Sequence, residues 1–294
     1  MYKSLADAIR DAEARGQTLA QVALDAESSD QGRTVADIRA VLARALAVMR
    51  DAVGQGMTGD LRSASGLVGG DAAKLRTGPK GPLADTPFRD ILARALAVQE
   101  VNAAMGVIVA APTAGGAGVL PAVLTGLAAA RKIPDEKVID ALACAGLIGA
   151  VVAERASLSG AEGGCQAETG AAAAMAAGAA TEMLGGSPSQ AGHATALALQ
   201  GTLGLVCDPL GGLVELPCVF RNATGAAIAL TGIELALAGV TFAIPVDEVI
   251  DVMGEIGREM DVRYRETAGG GLAATPTGRR LAKERLYQIK RSEG

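Results

Sequence analysis

Tryptophan is absent from the 294 residues, and three phenylalanines and three tyrosines are all the aromatic rings the chain has. A core of this size therefore cannot be built on large rings. Half of the residues are nonetheless hydrophobic, and 39 are glycine, so the interior must come from small side chains on closely approaching backbones, an arrangement that suits packed helices. Extended disorder is excluded by the same figure. Basic runs are missing too, apart from "RRLAKERLYQIKR" at the C-terminal end, and the formal charge is −5, which argues against nucleic acid as a partner. The first residues, "MYKSLADAIRDAEARG", carry charges where a secretory signal would be apolar, so we read the chain as cytoplasmic, where thiols stay reduced.

Two stretches are long and nearly uncharged, 101–130 and 223–246. The first is broken by Pro112, Pro121 and "AGGAG", and the second carries Glu234 near its centre, so no membrane insertion is expected. Apolar spacing predicts amphipathic helices over 3–15 and 35–53. These form an N-terminal helical arm, 1–60, on a core of 61–294 within one domain, 1–294. Residues 63–87, "SASGLVGGDAAKLRTGPKGPLADTP", read as a long irregular loop, with helix resuming near Pro87 and running toward Ile108. Further helices are expected from about Leu120, over 134–156, just after Cys165, from Pro188 behind Ser187, through 219–239, and from Pro245 and Pro276. Only 206–219 and 240–246 have strand character. The expected class is all-α: a single many-helix domain whose Gly/Pro-rich loops carry three of its cysteines.

Those cysteines are the chemical content of the sequence. Cys144 lies inside the apolar helical run "ALACAGLIGAVVA" and reads as buried filler. Cys165, Cys207 and Cys218 lie on glycine or proline turns at helix ends, which we take to be exposed. Forty-one residues separate the first two and ten the last two, neither a zinc-finger nor a ferredoxin spacing. Spacing alone leaves a metal or cluster site level with three unrelated thiols, and a Cys207–Cys218 disulfide is disfavoured only by a reducing compartment. For an anionic ligand, the loops "SASGLVGG" and "APTAGG" offer backbone N–H groups with the hydroxyls of Ser65 and Thr113, or serve as ordinary turns. Asn222 reads as a ligand contact or an N-cap. His193, the one histidine, reads as structural.

Five segments carry a resemblance: "QEVNAAMG" (99–106), "APTAGGAGVLPAVL" (111–124), "SLSGAEGGCQAETG" (157–170), "LGLVCDPLGGLVELPCVFRNATG" (203–225) and "RETAGGGLAATPTGR" (265–279). Together they resemble the alpha chain of iron–sulfur-dependent L-serine dehydratase. The resemblance implies a lyase of amino-acid degradation that feeds gluconeogenesis, turning L-serine into pyruvate and ammonia. It implies a [4Fe–4S] cluster held by Cys165, Cys207 and Cys218, with one iron free of protein sulfur to act as a Lewis acid. It also implies a beta chain, to which we assign the general base because this chain has no imidazole beyond His193. Glu168, a cluster thiolate or an alkoxide is the alternative base. With no cysteine after Cys218, the sequence resembles the two-chain type, without an inhibitory cysteine tail.

Rival readings stay open. A relative acting on L-cysteine or L-threonine keeps the fold and changes the substrate. A pyridoxal-phosphate enzyme with Lys74 as the Schiff base needs an α/β framework that this strand-poor sequence lacks. A non-catalytic helical scaffold would use the glycine loops only as connections.

Overall fold

The computed structural model describes the backbone of residues 2–292 and the side chains of 2–285, in thirteen α-helices. These are α1 (Leu5–Arg15), α2 (Leu19–Gln31), α3 (Val35–Gly56), α4 (Asp71–Thr77), α5 (Pro87–Ala103), α6 (Val119–Arg131), α7 (Asp135–Arg155), α8 (Gly160–Gly163), α9 (Ala171–Met183), α10 (Pro188–Gln200), α11 (Cys218–Leu237), α12 (Val246–Glu259) and α13 (Pro276–Ser292). Among the described residues there is no strand. The strand character expected at 206–219 shrinks to one parallel bridge, Cys207 with Arg265, and 240–246 has none.

Helix α9, "AAAAMAAGAATEM", is the axis of the fold, buried at every position except Glu182 and packed by α6, α7, α10 and α11. Alanine makes this possible: it loses no rotamer entropy in a helix and lets neighbouring backbones come close. At Gly178 a Cβ would stand 2.4 Å from Thr195 Oγ1 on α10 and 2.5 Å from Ile148 Cδ1 on α7, so that crossing tolerates no side chain. The scarcity of aromatics is thus matched by helices set too close for rings.

The arm is tied down by carboxylates borrowed from the core. Asp247 on α12 accepts the backbone N–H groups of Leu5 (2.8 Å) and Ala6 (3.2 Å) and the Ser4 hydroxyl (2.6 Å). Glu182, at the end of α9, accepts those of Leu19 (2.6 Å) and Ala20 (2.9 Å). Each negative group lies at the positive end of a helix and satisfies donors that the helix itself cannot. Helix α2 was not expected from apolar spacing, because its apolar residues are interrupted by Gln21, Asp25 and Glu27. Its signal is the capping box of Thr18 and Gln21.

The expected loop over 63–87 contains α4, a helix of seven residues. Its start is held by Glu100, whose carboxylate accepts from Gly70 (2.9 Å), Asp71 (2.6 Å) and Ala72 (3.0 Å). No side chain within the segment itself caps this helix, which is why local sequence did not reveal it. Helix α5 ends at Ala103, five residues short of the expected Ile108, and Met105 follows with a left-handed φ of 62°.

Candidate functional site

The 157–170 segment arrives from α7 through the single turn of α8 to Gly164, whose φ is +75°. Cys165 comes next, and the chain then makes a π-helical turn, Gln166–Gly170, before settling into α9. A π turn adds one residue per turn and rotates the helix beyond it, a distortion frequent at functional sites. Here it carries Glu168. Gln166 anchors the turn: its Nε2 donates to Met253 O (3.0 Å), its Oε1 accepts from Gly204 N (2.9 Å), and its own N–H donates to Leu205 O (3.1 Å).

Cys207 is fixed by the bridge to the 262–266 segment, its N–H donating to Tyr264 O and its carbonyl accepting from Glu266 N, both at 2.8 Å. Cys218 is the first residue of α11, behind a cis Leu216–Pro217 bond. One ion pair closes the loop between them: Arg221 Nη2, one turn into α11, stands 2.8 Å from Asp208 Oδ1, and Arg221 Nη1 donates to Val206 O at 2.9 Å. The contact to Oδ1 is off the hydrogen-bond axis, so it is charge attraction and leaves Oδ1 without a donor. Asp208 Oδ2 accepts from Leu272 N at 2.6 Å, bringing in the glycine loop of 269–272.

The expectation that these thiols sit exposed is corrected. Cys165, Cys207 and Cys218 are 3 %, 2 % and 5 % exposed, and the turns that bear them are folded under neighbouring loops. Burial pushes all three thiols up: Cys218 to about 12, Cys165 and Cys207 in the same direction. For Cys207 the next causes are the charges of Glu168, Cys165 and Cys218, and for Cys218 those of Cys165 and Glu168. These groups therefore share one electrostatic neighbourhood. No disulfide joins them. Among the described residues, no three His, Cys, Asp or Glu side chains close around a single ion.

Glu168 lies in a glycine cradle. A Cβ on Gly115 would stand 2.7 Å from its Oε1, and one on Gly160 would stand 2.5 Å from its Oε2 and 3.3 Å from Cys207 Sγ. The Thr113 hydroxyl donates to Oε1 at 2.7 Å, and the Cys207 thiol reaches Oε2 at 3.7 Å. Burial raises the carboxyl above its ordinary value, with Glu266 adding to the rise.

Of the residues singled out as ligand contacts, Thr113 is the one whose side chain reaches this carboxylate. Asn222 is neither an N-cap nor exposed: its Oδ1 accepts from Gly118 N (2.8 Å) and its Nδ2 donates to Gly115 O (2.7 Å) and Cys218 O (2.9 Å), linking the 111–118 loop to α11. The Ser65 hydroxyl donates to Glu215, which also accepts from Ser65 N (3.1 Å) and from the Ser63 hydroxyl (2.6 Å). The "SASG" loop is thereby strapped to the 207–218 loop. His193 stands elsewhere, on α10, with Nδ1 accepting from Phe242 N at 3.3 Å.

Sequence reasoning gave no role to Asp208, Arg221, Glu215, Gln99 or Glu100. Their signal was charge and amide placed inside otherwise apolar segments. Gln99 Nε2, for example, donates to Ala114 O (2.8 Å) and so supports the 111–118 loop from α5.

An all-helical chain with thiols and a carboxylate gathered under glycine loops is an enzyme of the lyase class by its relatives. Residues 14–273 match the family described as serine dehydratase alpha chain, and the chain belongs to that family. It is 47 % identical over 290 residues to the probable L-serine dehydratase alpha chain of Bacillus subtilis (strain 168), covering 97 % of this chain and 95 % of that one. It is 40 % identical over 278 residues to the L-serine dehydratase alpha chain of Peptoniphilus asaccharolyticus, covering 93 % and 94 %. The L-serine dehydratase of Streptomyces coelicolor is 42 % identical over 267 residues, which are 88 % of this chain and 58 % of that longer protein.

Proposed function

We propose that this chain is the alpha chain of an L-serine dehydratase that forms pyruvate and ammonia, with a [4Fe–4S] cluster on Cys165, Cys207 and Cys218 and a separate beta chain as partner. The observation that carries the reading is the convergence of those three buried thiols with Glu168 in one glycine-lined neighbourhood.

The residues present fit such a group. Thiolate is the donor that iron–sulfur clusters take, and each thiolate binds a different iron, so the sulfurs need not close on one point. Three neighbouring thiols that burial and mutual charge keep protonated surrender their protons when a cation takes up the charge. When bound, the cluster supplies an iron without a protein sulfur, a Lewis acid that eases departure of a poor leaving group such as the serine hydroxyl.

The rest falls to side chains and loops of this chain. Thr113 fixes Glu168 Oε1, so that Oε2 stays turned toward Cys207. Gly115 and Gly160 carry no side chain, which lets their backbones close on both sides of that carboxyl and hold it in place. Backbone N–H groups of the 111–118 loop are the candidates for the substrate carboxylate, with Asn222 and Gln99 holding the loop in place. Ser65, engaged with Glu215, keeps the 63–70 loop against the site. The aminoacrylate product leaves and hydrolyses to pyruvate and ammonia in water.

The base that takes the Cα proton is assigned to the beta chain, because His193 is committed to Phe242 and no other imidazole is present. Positioned general bases contribute about 10² to 10⁴ in rate. Reconstituted anaerobically with iron and sulfide, the chain alone should form pyruvate from L-serine slowly and gain at least about a hundredfold with a beta chain. His193→Ala should leave the assembled rate nearly unchanged. Full turnover by the isolated chain that disappears in His193→Ala would place the base here, and full turnover without iron would sink the cluster reading. L-Cysteine and L-threonine assayed alongside give the substrate preference.

A further inference from the structure

Beside the Cys165 turn, with Gly163 and Ala167 in its wall, is a cavity of about 340 Å³ between α8 and α12. None of the four cysteines lines it, nor does Glu168. Two guanidinium groups do: Arg258, from α12, and Arg265, from the segment that bridges to Cys207. Neither has a carboxylate within ion-pair distance among the described residues. Arg265 Nε, moreover, is shut off from solvent and has no acceptor. A guanidinium has five donors and cannot shed its charge, and a buried donor left unpaired is costly. Two unpaired cations on one small cavity have the chemistry of an anion site.

The third charged group on the cavity narrows the class. Glu162 lines the same space, with its Oε2 held by the Ser157 hydroxyl at 2.6 Å. A simple anion such as phosphate would be repelled by it. A molecule with a carboxylate at one end and an ammonium at the other would meet the arginines and Glu162 together, the carboxylate on the guanidinium fork. At roughly 30 Å³ per water-sized group, the space admits a ligand of roughly ten heavy atoms. Apart from Met253, the remaining walls are short, with Ala156, Gly163 and Gly254 among them, so it is the volume that limits the ligand.

We propose that this cavity is a second ligand site, distinct from the thiol site, that takes a small zwitterionic α-amino acid, with its carboxylate on Arg258 and Arg265 and its ammonium facing Glu162. The site does not depend on iron. Its failure can therefore be told apart from failure of the serine dehydratase reading.

The test is calorimetric titration of the iron-free chain with L-serine, pyruvate and inorganic phosphate. L-Serine should bind saturably, and pyruvate and phosphate at least tenfold more weakly. Arg265→Gln and Arg258→Gln should each weaken serine binding by tenfold or more, about 1.4 kcal/mol. Glu162→Gln should bring pyruvate toward serine, while Cys207→Ser and Glu168→Gln should leave serine binding as it was. Arg258 is exposed, so its variant is expected to fold, and ligand-free melting curves of all the variants check that point. The proposal is overturned by an iron-free chain that binds no serine, by serine binding indifferent to both arginine changes, or by binding lost in Cys207→Ser or Glu168→Gln, which would return the ligand to the thiol site. Phosphate binding as tightly as serine would overturn the amino-acid assignment.

Discussion

Cys144 and Cys207 are the same residue, buried to the same degree, in two regions that treat a thiol differently. Cys144 is fully enclosed in α7, and burial raises it well above the ordinary thiol value, with Glu182 the one charge that adds to the effect. Cys207 is 2 % exposed, on a bridge between loops, and after burial it feels Glu168, Cys165, Cys218 and Glu266. Exposure does not separate filler from candidate ligand here. The company of each thiol does: the helix bundle surrounds its own with alanine and leucine, while the loops surround theirs with other groups that lose a proton or carry charge. A region that gathers groups able to lose protons can take up a cation in exchange for them, whereas the bundle offers a cation nothing.

The largest effect that would break this comparison is iron content. After anaerobic reconstitution, Cys165→Ala, Cys207→Ala and Cys218→Ala should each lose the cluster, measured as iron and labile sulfide per chain. Cys144→Ala should retain it and lose only about 1 kcal/mol of stability, the cost of removing roughly a methyl's worth of packing. Iron lost from the Cys144 variant, or retained in full by the Cys218 variant, would overturn the distinction.

A second pair of substitutions asks the same question of glycines. Gly160→Ala would place a methyl 2.5 Å from Glu168 Oε2 and 3.3 Å from Cys207 Sγ, and the neighbouring side chains are too enclosed to retreat. Iron retention should fall, and serine turnover should drop at least tenfold. Gly146→Ala, in the exposed middle of α7 with no atom within 4 Å of the new Cβ, should instead stabilise the chain by about 0.5–1 kcal/mol through helix propensity. Equal losses in the two variants would mean that the cradle around Glu168 has no special tightness.

The same contrast explains what the sequence could disclose. Bundle helices announced themselves locally: Ser187–Pro188 starts α10, Pro276 starts α13, and the apolar run of 134–156 is α7 to within a residue or so at either end. The alpha-chain resemblance was legible too, because its long glycine and cysteine segments have few other uses. Structures held from afar could not be read. Helix α4 depends on Glu100, α2 is fastened by Glu182, and the 63–70 loop by Glu215, so each rests on a carboxylate distant in the chain. The burial of the three thiols escaped for the same reason, since a glycine turn looks exposed until the loop that covers it is known.

The smallest expected effect tests the scaffold's surface. Arg50 on α3 grips Asp135, the first residue of α7, with two hydrogen bonds of 2.7 and 2.6 Å. Both side chains are about half exposed, at 43 % and 55 %, so solvent and salt screen the pair. Arg50 holds the Asp135 carboxyl below its ordinary value, first by hydrogen bonding and then by charge. A carboxyl lowered in the folded state favours folding at pH above its unfolded value, about 3.9, and that contribution disappears as pH falls through the lower folded value. Asp135→Asn should therefore cost about 0.2–1 kcal/mol at neutral pH, less in high salt, and the gap between parent and variant should close only below about pH 4. Urea midpoints taken at pH 7, pH 5 and pH 3.5 measure it. A gap that widened toward acid would mean that the protonated carboxyl, and not the ion pair, was what joined α3 to α7.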